Sequence, residues 1–538
     1  VRIGVTGHRK LYDDFRIRDS VRKVLGEIEE LLHRELRCSP YTFTVISPIA
    51  EGSDTIVAQE VMDWKVSDRA YPPFLEVVLP MAEEEYLTDF ESSAAIDEFH
   101  RLSARARVVR TLKGMGSRKA SFENVGKYVV HNCDVLIAIW DGKDAAGRGG
   151  TGDIVAYAGK LGHLIAWINS ETGELKWIDP QCAKPQGWDP ERLLRPLRLL
   201  DVYNGEHINV AQVARKAESY YSSLHGKAVK AGLGEDAIRP FRDDLIVKYE
   251  RASLLAKKYQ KLYYLAGSAI YVLSALAVAT VAVQALFLHE YPEALWLEVI
   301  YILLIIGITA VSNRIGWHRR WIDYRFLAER MRVAIFFAMA GIQYEPLKYP
   351  PYMDRSAQSD YWIVKAFSWI WGTRPRRYDD VAADFVKLKG FLKTAWIEDQ
   401  LEFYTDRSEK QIRLHERYEL IGLALFLLTL IAAFVHSSRL EERLFHHELV
   451  DPNVLALVGI VFPAIGASIA GILMYREYRK NSERYGQMVA PLLNIKQQVD
   501  MAGDMESLVR LLDEANELML RENQDWRVSF LSQSLRPP

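Results

Sequence analysis

Apolar positions in this chain follow two regimes. Up to about residue 170, short apolar runs alternate with amphipathic stretches; beyond about 240, long uncharged segments are set between charged helical runs. The runs Arg2–Val5, Thr42–Ile46, Leu75–Leu79, Val135–Trp140 and Leu164–Ile168 predict buried strands. Ser20–Leu36 and Asp54–Asp63 predict helices between them. Strand and helix in alternation predict a Rossmann-like α/β fold, a parallel sheet covered on both faces. Residues 171–240 read as a mixed linker, with Trp177–Pro190 irregular.

The later segments are Leu265–Leu288, Val299–Ser312 (extendable back to Leu295), Leu420–Val435 and Val454–Tyr475. A bilayer core of about 30 Å needs about 20 apolar residues as a helix. The first and last segments meet that length; the middle two rely on flanking residues. Lysines and arginines set the orientation. Lys257, Lys258 and Lys261 precede segment one, and Arg314, Arg319 and Arg320 follow segment two. Lys410, Arg413 and Arg417 precede segment three, and Arg476, Arg479 and Lys480 follow segment four. The loop between the first two carries no Lys or Arg; in the loop between the last two, Arg439 and Arg443 are balanced by acids. Both pairs therefore read as hairpins of a multi-pass inner-membrane protein with both termini in the cytoplasm.

The hairpins repeat. Tyr263-Tyr264-Leu265-Ala266-Gly267 opens segment one much as Tyr418-Glu419-Leu420-Ile421-Gly422 opens segment three, and Arg320–Arg325 is echoed by Arg479–Arg484. The expected partition is a sheet domain over 1–170, the linker to 240, one all-α membrane unit over 241–345, a proline- and aromatic-rich connector over 346–395, and a second unit over 396–538 with long cytoplasmic helices. In the tail, Met505, Leu508, Leu512, Ala515 and Met519 share one helix face. Packing on neighbouring helices accounts for that stripe more simply than an oligomer seam.

A net charge of −2 gives no basic character that would point to nucleic acid. Cys38, Cys133 and Cys182 lie far apart, which fits neither a disulfide framework nor a zinc site. The candidate chemistry lies in three glycine-marked patches, each just past a predicted strand, where a doubly wound sheet places its ligand loops. Gly7, His8 and Arg9 follow the first strand; the glycine permits close backbone approach and the arginine can pair with phosphate. Glu51, Gly52, Ser53 and Asp54 precede a helix whose amides could face an anion. Trp140, Asp141 and Gly142 lead into a loop with Gly147 and Arg148, then Gly149, Gly150, Thr151, Gly152 and Asp153, able to wrap phosphates with N–H groups. No GxGxxG follows the first strand and no GxxxxGK[ST] occurs, so ordinary dinucleotide and Walker-type binding are disfavoured.

Thr6-Gly7-His8-Arg9, Glu51-Gly52-Ser53-Asp54 and Gly149-Gly150-Thr151-Gly152-Asp153 resemble the SLOG superfamily, which includes LOG phosphoribohydrolases, DprA-type proteins and the sensing part of TRPM channels. The hairpins resemble SLATT domains, two-helix membrane effectors paired with SLOG sensors in prokaryotic conflict systems. Arg325-Phe326-Leu327-Ala328-Glu329-Arg330 and Glu522-Asn523-Gln524-Asp525-Trp526 fit that family. The resemblance implies a defence effector. Its SLOG part would bind a nucleotide, ADP-ribose- or NAD-derived ligand and its SLATT part would perturb the membrane as a homo-oligomeric pore, with no metal and no tightly held cofactor. LOG enzymes carry a glutamate where this chain has Ala156, which favours binding over turnover. Asp141 or Asp153 would have to serve in a membrane-anchored nucleotide-processing enzyme, the first alternative; a ligand-free scaffold is the second. Ser274, Thr280 and Gln284 lie broadly on one face of segment one and are the candidate pore lining.

Overall fold

The apolar runs of the first 170 residues become the middle of a seven-stranded sheet. The computed structural model describes residues 1–65, 70–112, 114, 116–143, 149–179, 188–346, 361–375, 385–438 and 451–531. They divide into two compact units: Val1–His207 with Tyr349–Ala366, and Ile208–Lys348 with Phe367–Pro538.

In the first unit the order is β1 (Arg2–Gly7), α1 (Asp14–Glu35), β2 (Thr44–Ser47), α2 (Ser53–Met62), β3 (Phe74–Leu79), α3 (Glu83–Leu87), α4 (Ser93–Arg105), β4 (Val108–Thr111), α5 (Arg118–Asn132), β5 (Val135–Trp140), α6 (Thr151–Lys160), β6 (Leu164–Asn169), β7 (Leu175–Ile178) and α7 (Pro190–Asn204). The sheet runs β4-β3-β2-β1-β5-β6-β7, parallel except for the final β6–β7 pair. Strands buried on both faces need unbroken apolar sequence, and Val135-Leu136-Ile137-Ala138-Ile139 are all 0 % exposed.

The sheet differs from the sequence expectation at its edges. In β4 every residue is exposed, so no apolar run announces it. β7 lies in the stretch expected to be linker, and Trp177, expected in an irregular segment, is one of its residues. A turn with Gly173 at φ 73° folds it back on β6. Leu193, Leu194 and Leu197 of α7 complete the same core. α1 also begins six residues earlier than Ser20, because the Asp13 carboxylate caps it by accepting from the Arg16 amide at 3.1 Å. At the foot of β5, Asp134 accepts the Arg2 amide at 2.8 Å and meets Lys365 Nζ at 2.5 Å, a buried pair within this unit.

The second unit is all-helical: α8 (Val210–Lys230), α9 (Val247–Phe287), α10 (Trp296–Ile315), α11 (Trp317–Met339), α12 (Tyr361–Thr373, whose first turns count with the sheet unit), α13 (Phe385–Leu392), α14 (Glu398–Ser438), α15 (Pro452–Arg476), α16 (Tyr478–Met501) and α17 (Met505–Leu531). Among the described residues, four helices, α9, α10, α14 and α15 with their flanks, are long and apolar enough to cross a membrane, and few residues of their apolar windows are buried in the single chain. The balancing charges Arg439 and Arg443 lie outside the described residues.

The repeat seen in sequence recurs element by element. A five-residue π-helical segment (Arg242–Ile246; Lys393–Ile397) leads straight into a 41-residue helix, α9 or α14. The return helix, α10 or α15, ends on a residue in the left-handed region, Gly316 at φ 73° or Glu477 at φ 49°. A further helix, α11 or α16, then begins.

The two hairpins meet where α9 packs on α15. A Cβ on Gly267 would lie 2.2 Å from the Tyr475 ring, and a Cβ on Gly471 would lie 2.3 Å from the Tyr271 ring. Each helix thus offers a glycine to the other's tyrosine. Tyr475 Oη donates to the Tyr263 carbonyl at 2.8 Å and Ser468 Oγ to the Tyr271 carbonyl at 2.9 Å. Gly267→Ala should therefore destabilise the helical unit by about 1–3 kcal/mol, as overpacking does. Adding Tyr475→Leu should recover part of the loss. Thermal unfolding of the detergent-purified chain checks both.

Candidate functional site

The sheet topology selects one end of one strand. The chain runs outward from β1 through β2 and β3 to β4, then returns to place β5 on the other side of β1. Ligands of open α/β sheets bind in the crevice where strand order reverses. Here that point lies at the carboxyl ends of β1 and β5, with the loops to α2 and α6 on either side. All three glycine-marked patches fall there, apart from Gly147 and Arg148, which lie outside the described residues.

Backbone contact draws the first two patches together. A Cβ on Gly7 would lie 2.4 Å from Ser53, and one on Gly52, at φ 83°, would lie 2.1 Å from the Arg9 carbonyl oxygen. Only glycine fits either place. The His8 carbonyl accepts both the Ser53 amide, at 3.1 Å, and the Ser53 hydroxyl, at 2.7 Å. The His8 amide donates to the Ile139 carbonyl at 3.0 Å, and the Asp141 amide donates to His8 Nε2 at 3.3 Å. His8 is the hub that ties the end of β1 to the start of α2 and to the end of β5.

Around this hub, several predicted ligand groups already have partners. Asp141 accepts the Lys143 amide at 3.1 Å, and that bond, with the Lys143 ammonium and His8, holds its carboxyl down to about 2. Asp153 accepts the Gly149 amide at 3.1 Å, shaping its own loop. Glu51 reaches away to accept the Glu91 amide at 2.9 Å. The Trp140 indole donates to the Lys143 carbonyl at 2.8 Å, and Gly142, at φ 85°, turns the chain against Trp167. Arg9 donates to the Asp89 carbonyl at 3.0 Å.

The backbone offers the anion-binding character instead. α2 and α6 begin at Gly52 and Gly150, neither of which supplies a side-chain cap. The first amides of a helix have no partner inside it. Thr151 and Gly152 open α6 with theirs directed out of the helix, where they and the helix dipole favour a negative group.

Two groups here escaped the sequence reading. Arg118, at the start of α5, meets Asp89 Oδ2 at 2.9 Å and Glu85 at 3.0 Å. Asp89 thereby holds Arg118 with its side chain while its carbonyl holds Arg9. The Tyr86 hydroxyl is buried with no hydrogen-bond partner. Asp54 was singled out, but not its state: burial pushes its carboxyl up to about 7, against the pull of the Ala50 backbone and the Arg9 charge. No local motif marks Arg118 or Tyr86, because only the tertiary fold brings them near Arg9.

Ser274 Oγ and Thr280 Oγ1 donate to carbonyls of their own helix, at Ile270 and Leu276, both at 2.9 Å.

A family model matches part of the chain. Residues 394–526 match the domain described as SMODS and SLOG-associating 2TM effector domain 1. That stretch is similar to SLATT domains. No curated protein matches the chain.

The matched stretch takes in α14, α15, α16 and most of α17, and its last residue is Trp526. There the two segments singled out for their resemblance to this family meet across the unit. The Arg325 guanidinium lies over the Trp526 ring at 4.2 Å, and Arg330 Nη1 donates to Asn516 Oδ1 at 3.0 Å. Arg527 pairs with Asp323 at 2.7 Å, both about 95 % buried. Burial also raises the carboxyl of Glu522, opposed by the nearby Arg325 charge.

Two outcomes follow. A carboxyl more easily protonated in the folded than in the unfolded chain, about 7 against about 4, adds stability at low pH that is lost as pH rises through that window. Asp54→Asn should therefore gain on the parent between pH 5 and pH 8 in paired thermal melts. Asp323→Ala breaks a buried ion pair and should cost about 3–5 kcal/mol in unfolding free energy, read by denaturation in detergent.

Proposed function

We propose that this chain is a membrane effector that binds a nucleotide-derived anion in the β1/β5 crevice and then permeabilises the membrane, in prokaryotic defence. The membrane-effector part rests on the SLATT match and the four apolar helices. The sensing part is carried by one observation: α6 opens on the uncapped Gly150 beside the end of β1, at the point where strand order reverses. That arrangement suits phosphate, and it matches the resemblance of the sheet unit to SLOG sensors. The element-by-element repeat supports reading the first hairpin as a second SLATT-like unit, outside the matched residues. Charge placement puts both termini in the cytoplasm, where such a ligand would arise.

Ligand can drive the membrane part only by binding one arrangement of the chain better than another. Ala156 in place of the LOG-type glutamate argues against turnover. A second reading, nucleotide processing, draws on Asp54, whose carboxyl stays protonated up to about 7 and could serve as a general acid.

The test uses the full chain in dye-loaded liposomes with a panel of adenine nucleotides, NAD and ADP-ribose. One ligand should trigger dye release and be recovered unchanged. Gly150→Trp, which blocks the opening of α6, should reduce release at least tenfold while insertion is retained. A consumed ligand with no release would favour the enzyme reading, and no binding to any member of the panel would refute both.

A further inference from the structure

The duplication creates a surface that one chain leaves unused. Within the chain, the first helix of the first hairpin (α9) packs on the second helix of the second hairpin (α15). Since α9 corresponds to α14 and α10 to α15, a matching contact exists in principle between α14 and α10. Among the described residues the chain makes no comparable packing between them.

The residues that build the α9/α15 seam have counterparts on these helices. On α9 the seam uses Tyr263, Gly267 and Tyr271, four apart. On α14 the repeat places Tyr418, Gly422 and Phe426 at the same spacing. Gly267 is filled by Tyr475, whereas a Cβ on Gly422 would meet nothing within 4 Å, and Phe426 is 65 % exposed. On α15 the seam uses Ser468 and Gly471, nine and six residues before the left-handed Glu477. Nine and six residues before the left-handed Gly316 stand Gly307 and Ala310. Both are exposed, and a Cβ on Gly307 would also meet nothing within 4 Å. The match departs at one place, where Arg314 stands for Tyr475.

We propose that α14 of one chain packs on α10 of a second copy, repeating between chains the seam that α9 and α15 make within one. Phe426 lies over the small residues Gly307 and Ala310, as Tyr271 lies over Gly471. Close packing of small residues against a large one is the main source of helix association in lipid, where no hydrophobic gain remains. The two surfaces differ, so copies join head to tail; such contacts propagate, and close into a ring when the rotation between copies allows. Every hairpin in the array then contacts two others through one type of seam. The inference rests on the duplication and is independent of what the sheet unit binds.

The glycines make the test clean, because a Cβ added at Gly307 or Gly422 meets nothing within 4 Å beyond its own stretch of helix. The full chain is purified in lipid nanodiscs and in mild detergent and its mass distribution is measured. The parent should form assemblies larger than a dimer. Gly422→Leu and Gly307→Leu should each lower the assembled fraction at least tenfold, while Gly459→Leu, on α15 and equally open, should leave it unchanged. With Cys38 and Cys182 replaced by serine, Ala310→Cys with Phe426→Cys should give an oxidation ladder running past the dimer. A monomeric parent, assembly unaffected by both leucines, or equal loss in all three variants would overturn the proposal. So would a ladder that stops at the dimer, since that marks a face packing on itself.

Discussion

The helical unit depends on a contact that tolerates no side chain. Where α9 crosses α15, Gly267 and Gly471 each receive a tyrosine ring from the opposite helix, at distances that exclude even a methyl group. In lipid the usual reward for burying apolar surface is absent, so helices associate through dispersion and shared hydrogen bonds. The seam supplies both. The rings fill the glycine gaps, and the Tyr475 and Ser468 hydroxyls reach carbonyls of the facing helix. Because the contact joins the first hairpin to the second, the duplicated sequence forms one body and not two independent anchors. The same unit is tied again outside the apolar segments, where Arg325 and Asp323 of α11 meet Trp526 and Arg527 of α17.

Glycine does related work in the sheet unit, for a different reason. Gly7 and Gly52 let two loops touch backbone to backbone, which fixes the His8 carbonyl on Ser53. At α2 the Ser53 and Thr55 amides already donate to the His8 and Ala50 carbonyls, whereas at the start of α6 Gly150 leaves amides without a side-chain acceptor. A loop rich in Ser or Asp would cap those amides itself and lose the anion site. The carboxylates nearby are partnered within the fold, so what remains for a ligand is backbone, which favours negative charge whatever the rest of the molecule is. The proposed anion site therefore needs no basic patch in this chain of near-neutral net charge.

The elements with strong periodicity were legible from sequence. β5 and the four apolar helices could be placed because central strands and bilayer-length helices need uninterrupted apolar residues. β4 could not, since its residues are all exposed, nor could β7, four residues long and antiparallel. The glycine patches were legible as loops after strands. Their internal bonding was not, because the Gly52–Arg9 approach and the Asp89–Arg118 pair join residues 43 and 29 positions apart with no shared motif. Arg9 illustrates the limit. Its position after β1 was readable, but its hydrogen bond to the Asp89 carbonyl depends on a loop beyond β3.

Duplication within one chain changes what assembly can do. Two identical hairpins on separate chains could meet face to face and stop as a dimer. Fusing them lets each half specialise, and this chain has done so: Tyr475 closes the inner seam, while the matching place on α10 holds Arg314. An inner seam locked by tyrosine and the proposed outer one, with small residues facing the exposed Phe426, differ in strength. The weaker one is where a signal of limited energy can act, because a ligand shifts an equilibrium only by its differential affinity, commonly 1–3 kcal/mol between coupled sites. A body held firmly inside and loosely outside can respond to such a signal by changing how copies meet while each subunit stays folded.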